Sequence, residues 1–289
     1  MSLKPRIAVM QFIQFFTWGS WMPMMATWWF GTQHWSAASF GATFATMGIA
    51  SVFMPTIMGM IADRWMNAEK LYSLSLFCSS ILHFIIPQCT QPTTVFWIML
   101  LNMCFYMPTL GLSYSIAYSS MEKAGMNIVK EYPPVRVWGT VGFIVAMWVI
   151  SISKLETSCW IFYIAGISSS VLGIYALTMP KCPPIGTKAA SWFDALGLDA
   201  FKVFKSYRMA VFFVFSMLLG VVLQLSNAYA NVFIHSFEEL VQYKDCLAVK
   251  YPAIIMSTSQ ISETFMILLV PFFLKRFGIK KVMVISMFG

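Results

Sequence analysis

Long apolar segments alternate with short polar ones along almost the whole chain. These segments lie near residues 7–30, 40–62, 71–89, 95–120, 134–153, 159–179, 208–236 and 251–274, and a ninth begins near Val282. A helix that crosses the hydrocarbon core of a bilayer needs about 20 residues, so eight segments are long enough to span it. The pattern predicts an all-α, polytopic membrane protein.

Composition supports this fold class, because 59% of the residues are hydrophobic and only 10% are charged. A soluble domain carries about 25% charged residues. The first apolar stretch runs past Trp28 without a small-residue cleavage site, so we interpret it as a retained helix and not as a signal peptide.

The net charge of +8 is explained by where the basic residues lie, and it does not indicate a nucleic-acid partner. If the N-terminus is cytoplasmic, three lysines face outward, namely Lys154, Lys244 and Lys250, and Arg136 lies just inside the fifth segment. The fifteen others face inward: Lys4, Arg6, Arg64, Lys70, Lys123, Lys130, Lys181, Lys188, Lys202, Lys205, Arg208, Lys275, Arg276, Lys280 and Lys281. This bias follows the positive-inside rule and predicts a cytoplasmic N-terminus.

The longest polar connection divides the chain in two. We expect a six-helix bundle over residues 1–180, a cytoplasmic linker over 181–207 and a partial second bundle over 208–289. Aromatic and charged residues between Ser191 and Lys205 favour a short helix on the inner membrane surface. A weak internal repeat agrees, since Gly59–Trp65 and Lys275–Lys281 both read as tight basic loops, and many transporters consist of paired halves.

Glu263 is the most unusual residue of the eighth segment, which is otherwise apolar, amide or hydroxyl. A charge at bilayer depth costs at least about 2.5 kcal/mol on insertion scales, so such residues usually face a bundle interior or a water-filled path. Gln260 lies one helical turn earlier and shares its face. The pair indicates one wall of a polar cavity, and the alternative is a carboxylate that only bonds to a neighbouring helix.

Two other segments carry polar faces. Arg136, Thr140 and Phe143 recur at helical spacing on the fifth segment, and Gln224 and Asn227, with Asn231 one turn further, do so on the seventh. Their donors, acceptors and aromatic ring suit the ribose, base edge and base face of a nucleoside. Each also has a plainer interpretation: snorkelling for Arg136, packing for Phe143, and bonds within or between helices for Thr140 and the amides.

Several segments resemble the bacterial nucleoside:proton symporters of the major facilitator superfamily. They are Gln14–Trp21, Phe105–Leu112, Pro133–Phe143, Leu196–Phe201, Phe215–Gly220, Ser259–Glu263 and Pro271–Lys280. Gly59, Asp63 and Arg64 are similar to the superfamily's conformational loop motif, although Met66 stands where that motif has glycine. The resemblance covers the chain in order.

The resemblance implies a twelve-span major facilitator fold in a multi-pass inner-membrane protein. Here the first bundle would be complete and the second only begun, so we expect a truncated chain that is incomplete as a transporter. It implies proton-coupled nucleoside uptake by alternating access, with no cofactor, by a monomer in the lipid bilayer. The implied substrate contacts are Arg136, Thr140, Phe143, Gln224, Asn227, Gln260 and Glu263, and Glu263 is also the implied proton-coupling residue.

Two other function classes stay open from sequence: a facilitator-type carrier for another polar solute such as a sugar, and a non-transporting truncated remnant. An enzyme is not expected, because no catalytic constellation, phosphate loop or metal-ligand cluster is visible. The cysteines are scattered singly, and we assign no role to His34, His83 or His235.

Overall fold

The computed structural model describes residues 2–184, 206–240, 242–243 and 246–288, and over these residues it contains helices and connecting turns but no strand. The all-α prediction is confirmed. The α-helices are α1 (Leu3–Trp21), α2 (Met25–Gly31), α3 (Ala37–Arg64), α4 (Ala68–Ile85), α5 (Pro92–Lys123), α6 (Ile128–Ile152), α7 (Trp160–Ala176), α8 (Tyr207–His235), α9 (Leu247–Lys250) and α10 (Pro252–Phe288).

Six of the described helical segments are long and apolar enough to cross a membrane. They are Ala37–Arg64, Ala68–Gln88, Pro92–Lys123, Lys130–Ile152, Tyr207–Glu238 and Pro252–Leu269. The apolar helix α7 has 17 residues. The first apolar segment is built from three pieces, since a 3₁₀ turn at Met22–Met24 separates α1 from α2. Pro23 lies in that turn and has no amide hydrogen, so an uninterrupted helix would lack one of its hydrogen bonds there.

Both loops of the expected repeat are shorter than predicted. Helix α3 continues through Arg64, and the amide of Trp65 still donates to Ile61. In α10 the chain is helical on both sides of Gly278, whose φ of 71° and ψ of 161° alone interrupt the helix. A positive φ is readily adopted by glycine, which has no Cβ, so a single residue is enough to break the helix.

We call the end of the molecule where α1 begins the proximal end, and the opposite end, where α2 finishes and α10 begins, the distal end. At the proximal end the side chain of Asn127 accepts from the amide of Lys130 (3.2 Å), and Glu131 accepts from the amide of Asn127 (3.3 Å). This reciprocal capping satisfies two amides at the start of α6. Glu131 also pairs with Lys4 at 2.6 Å, which ties the start of α6 to α1.

Helices α1 and α6 cross at unusually close range through glycine. An added Cβ at Gly142 would collide with the carbonyl oxygen of Phe12, and one at Gly19 would lie 2.7 Å from the carbonyl oxygen of Phe143. Small residues at crossings let helix backbones approach within membranes, where packing replaces the hydrophobic effect as the driving force. The α1–α6 pair is therefore a tightly fitted unit.

We expect Gly142→Ala to destabilise the protein, because the methyl group would meet backbone and not the end of a flexible side chain. Overpacking of this kind costs about 1–3 kcal/mol. Thermal unfolding in detergent should show a clearly lower Tm. Gly111→Ala on α5 is the matched control, since no atom lies within 4 Å of its added Cβ. An unchanged Tm for Gly142→Ala would show that the crossing can relax.

The start of the predicted linker packs against the proximal end of the first six apolar segments. The buried carboxylate of Glu69 accepts from the amide of Cys182 (2.8 Å) and from the side chain of Asn67 (2.9 Å). The amide of Ala68 donates to the carbonyl of Cys182 (3.1 Å), and Lys123 donates to that of Lys181 (2.9 Å). The first bundle therefore extends to Cys182. The predicted interfacial helix at 191–205 lies outside the described residues.

Helices α8 and α10 contact the first bundle at the distal end. In α8 only Ala228 and Asn231 are buried, and the described side chains of α10 are buried only at Pro252, Ala253 and Ser257. The indole of Trp148 on α6 donates to Ser257 at 2.8 Å. Towards the proximal end most of the described side chains of both helices are exposed.

Candidate functional site

All seven predicted contact residues lie on α6, α8 and α10, and we call the region that these three helices border the cleft. From the Trp148–Ser257 contact, Gln260 and Glu263 lie three and six residues along α10, and Phe143 and Thr140 lie five and eight residues along α6. At a rise of 1.5 Å per residue, these positions lie within about 5–12 Å of the contact, all towards the proximal end. The residues on the two helices are thus at comparable depth.

Arg136 lies further along α6 towards the proximal end and is held against aromatic rings. Its guanidinium carbon is 4.1 Å from the centroid of the Phe15 ring and 5.9 Å from that of Tyr114. One terminal nitrogen of the guanidinium is buried without a hydrogen-bond partner. A buried donor without an acceptor is costly, and a ligand that supplies an acceptor removes that cost. The contacts of Phe15 and Tyr114 with Arg136 were not predicted from the sequence, because helical spacing shows neighbours within one helix and not contacts between separate helices.

Thr140 and Phe143 are both buried, with 4% and 8% of their surface exposed. Phe143 packs into an apolar cluster at the distal half of the first bundle, together with Trp21, Tyr106 and Met147. Its backbone also forms the close contact with Gly19. In this arrangement most of the Phe143 side chain is covered by packing, and a small part of its surface is exposed.

Gln224 and Asn227 are half-buried on the face of α8 that approaches the first bundle. The Gln224 amide lies 3.9 Å from the sulfur of Met47 on α3, a weak contact that leaves its strong donors and acceptor available. Asn231, one turn further, is fully buried and bonded on both sides of its amide. Along the polar face of α8, the side chain of Gln224 therefore has hydrogen-bonding capacity left, whereas the side-chain amide of Asn231 is already hydrogen-bonded.

Gln260 is half-buried and Glu263 is exposed on α10. Among the described residues, no ion pair within 4 Å joins Glu263 to Arg136. The two residues lie on helices that border the same region, and they do not form an ion pair with one another.

The residues that resemble the conformational loop motif lie in the last turns of α3. Gly59 and Arg64 are half-buried, and Asp63 is exposed at the proximal end. The side chain of Trp65, immediately after them, is 73% exposed. The three residues lie away from the cleft, so any role that they have is separate from contact with a substrate.

A buried polar network inside the first bundle was also missed from the sequence. The side chain of Gln14 accepts from the hydroxyl of Tyr72 (2.5 Å) and donates to Thr109 (3.0 Å), while Tyr106 donates to the carbonyl of Gln14 (2.9 Å). The network joins α1, α4 and α5 close to the middle of the bundle. Its signal was present, since Gln14 and Tyr106 fall in two of the segments that carry the family resemblance.

A second network of polar side chains lies at the distal end. It includes His235, to which we assigned no role from the sequence. Glu156, between α6 and α7, is 5% exposed and accepts from the amide of Asn231 (2.8 Å). Its carboxylate lies 3.1 Å from Nε2 of His235. Burial alone would raise the pKa of the Glu156 carboxyl, but hydrogen bonds from His235 and Asn231 outweigh burial and hold that pKa below its usual range.

Comparison with known proteins identifies relatives over the whole chain. The sequence is 48% identical over 289 residues to the xanthosine permease of Escherichia coli K12, and 46% identical over 287 residues to the nucleoside permease NupG of the same organism. Each alignment covers 99% of this chain and 69% of the relative. A crystal structure of a NupG mutant superimposes with a TM-score of 0.91 at 45% identity, covering 99% of this chain and 71% of that one.

The structural similarity to NupG confirms the major facilitator fold. Because the relatives are permeases, the comparisons also support the prediction that the protein is not an enzyme. A sequence profile described as "Nucleoside H+ symporter" matches residues 1–289. The chain is a multi-pass membrane protein and belongs to the nucleoside H+ symporter family.

Proposed function

We propose that the protein carries nucleosides and protons together into a bacterial cell across the inner membrane by alternating access. The observation that carries this proposal is the cleft, which polar faces of α6, α8 and α10 line and which contacts close at the distal end. The clustering of basic residues supports a cytoplasmic proximal end. The protein then faces inward, as a monomer in the lipid bilayer that needs the proton gradient and no cofactor.

Within the cleft, we assign substrate contact to Arg136, Thr140, Phe143, Gln224, Asn227, Gln260 and Glu263. Arg136 supplies donors that a ribose hydroxyl or a base carbonyl accepts, and its stacking on Phe15 fixes their direction. The amides of Gln224, Asn227 and Gln260 both donate and accept, which suits the mixed edge of a nucleobase. A nucleoside would thus be held from both bundles at once.

Proton coupling falls to Glu263 in this proposal. A carboxyl group is protonated more readily in a dry environment than in a wet one, so closure and opening of the cleft around it change its proton affinity. Proton and nucleoside then favour the same conformations, and the gradient of one drives the other. Gly59, Asp63 and Arg64 act on the conformational change at the proximal end and not on the substrate.

We expect uptake of radiolabelled uridine by cells that express the protein to be inhibited by adenosine and other nucleosides. Free bases and sugars should compete poorly, because they lack either the ribose or the base that the two sides of the cleft recognise. Uptake should also fall when a protonophore removes the proton gradient. Efficient competition by sugars, with no effect of unlabelled uridine, would instead establish a sugar carrier.

A further inference from the structure

The network around Glu156 joins the two halves of the molecule. Glu156 lies in the turn between α6 and α7, whereas Asn231 and His235, which contact its carboxylate, lie on α8. Thr27 on α2 donates to the carbonyl oxygen of the Asn231 side chain. One amide of α8 is therefore held by two separate elements of the first bundle, both at the distal end.

Apolar and polar contacts surround this network and make the distal junction continuous. The ring of Tyr229 on α8 meets that of Phe40 edge-on, with centroids 5.5 Å apart. The Trp148–Ser257 bond closes the α10 side. The Tyr229–Phe40 and Trp148–Ser257 contacts do not change with protonation, whereas Glu156 is buried and ionisable and His235 beside it also titrates. The strength of the contact between α8 and the first bundle therefore depends on the charge of Glu156.

We propose that Glu156 is a positioning residue of the transport cycle: its carboxylate holds α8 against the first bundle and so keeps the cleft closed at the distal end. Protonation of that carboxylate releases the contact and lets the distal end open. The inference rests on the proposed function, because distal opening is the step by which an inward-facing carrier returns to the other side of the membrane.

The direction of the pH dependence follows from the contacts. When Glu156 is ionised, its carboxylate accepts a hydrogen bond from Asn231 and forms an ion pair with protonated His235. When Glu156 is protonated, it loses its negative charge, and one of its oxygens becomes a hydrogen-bond donor. The pKa of Glu156 lies below its usual range in the closed state. Closure of the distal end is therefore fully favoured when the pH is above the ordinary carboxyl pKa. It is lost as the pH falls through the lower pKa that Glu156 has in the closed state. At the other extreme, deprotonation of His235 leaves a neutral donor and a weaker contact.

Other ionisable groups face the same space. A cavity of about 430 Å³ beside the network is lined by Lys154 of the first bundle, by His235 and Glu238 at the end of α8, and by Lys250 and Tyr251 before α10. Glu238 lies 3.6 Å from the second ring nitrogen of His235, but its side chain is 60% exposed. Its exposure leaves Glu156 as the buried carboxylate on which closure depends. The cavity admits water, so the network can exchange protons with the distal side.

The test is a distance measurement across the distal junction that uses no nucleoside. The chain, with its native cysteines replaced by alanine, is spin-labelled at exposed positions Ser153 and Leu247 and reconstituted in lipid nanodiscs. Pulsed dipolar spectroscopy then gives the distance distribution at about pH 7.5 and at about pH 3, well below the ordinary carboxyl pKa of about 4.3, because the pKa of Glu156 is depressed in the closed state. Circular dichroism at both values, and return of the distribution on neutralisation, separate opening from unfolding.

We expect one narrow distribution near neutrality and a longer, broader one in acid. Glu156→Gln should give the longer distribution at both pH values, whereas Glu156→Asp should keep a pH response. Glu122→Gln is the matched control, because Glu122 is an exposed carboxylate at the proximal end of α5 and should behave as the unchanged chain does. The titration of the labelled chain needs no substitution at Glu156, so it holds even if a Glu156 variant misfolds.

A distribution that does not change with pH, or a Glu156→Gln chain that matches its parent at neutrality, would overturn the proposal. Neither outcome bears on whether nucleosides are transported, since uptake and competition are measured separately. Conversely, a protein that fails to transport nucleosides but opens in acid would refute the proposed function, while Glu156 would still be the group whose protonation releases α8 from the first bundle.

Discussion

We expect Glu263→Gln to remove proton-driven accumulation of nucleoside, while exchange between equal internal and external pools should continue. Glutamine keeps the size and much of the hydrogen bonding of glutamate but cannot ionise. A pH difference of one unit supplies about 1.4 kcal/mol per proton, enough for about tenfold accumulation at one proton per substrate. Without an ionisable group at this position, that energy is not transmitted, and the concentrations on the two sides become equal.

Proteoliposomes with an imposed pH gradient give the measurement, with radiolabelled uridine inside and outside for exchange. Glu122→Gln serves as the control, since it removes a carboxylate that is exposed at the proximal end and outside the cleft. Continued accumulation against the nucleoside gradient by Glu263→Gln vesicles would show that coupling lies elsewhere or is shared with another residue.

We expect Arg136→Ala to weaken nucleoside binding by about tenfold or more, because hydrogen bonds to charged groups contribute about 1.5–3 kcal/mol each. The guanidinium already lies against Phe15 with one nitrogen buried and unpaired, so it meets a ligand without first breaking another bond. Arg136→Lys should recover part of the affinity only, since an ammonium group keeps the charge but loses the planar stacking and the fixed donors.

Binding to the purified protein is measured by calorimetry, with size-exclusion profiles to verify that insertion and folding are intact. Lys130→Ala is the matched control, as Lys130 is an exposed basic residue in the first turn of the same helix. An unaltered affinity in Arg136→Ala would assign Arg136 to packing or to the membrane interface, and would remove it from the site.

Hydropathy was sufficient to predict the fold class and the approximate bounds of the spans. It could not predict the interruption at Met22–Met24, because one proline within an apolar run changes hydropathy very little. The same limit applies to Gly278, where the break depends on backbone conformation and not on polarity. Helical periodicity grouped Arg136 with Thr140 and Phe143, yet it did not show that Phe143 is occupied by core packing.

The contacts that sequence reasoning missed join residues far apart in the chain. Glu156 and His235 are separated by 79 positions, and Gln14 and Thr109 by 95. A periodic pattern shows which residues share a face of one helix, but it does not show which helices are neighbours. The roles assigned to the cleft residues stay predictions until binding and transport are measured.

The close crossing of α1 and α6 also limits what can vary during a transport cycle. Backbone packs against backbone at Gly19 and Gly142, which leaves little room for one helix to slide past the other, so we expect the two helices to move as a single unit. Arg136 and the Phe15 ring that it contacts lie on these two helices, and we expect their mutual geometry to be the same on both sides of the membrane. On this basis, a difference in nucleoside affinity between the two sides is expected to originate in the movement of α8 and α10 against the α1–α6 pair.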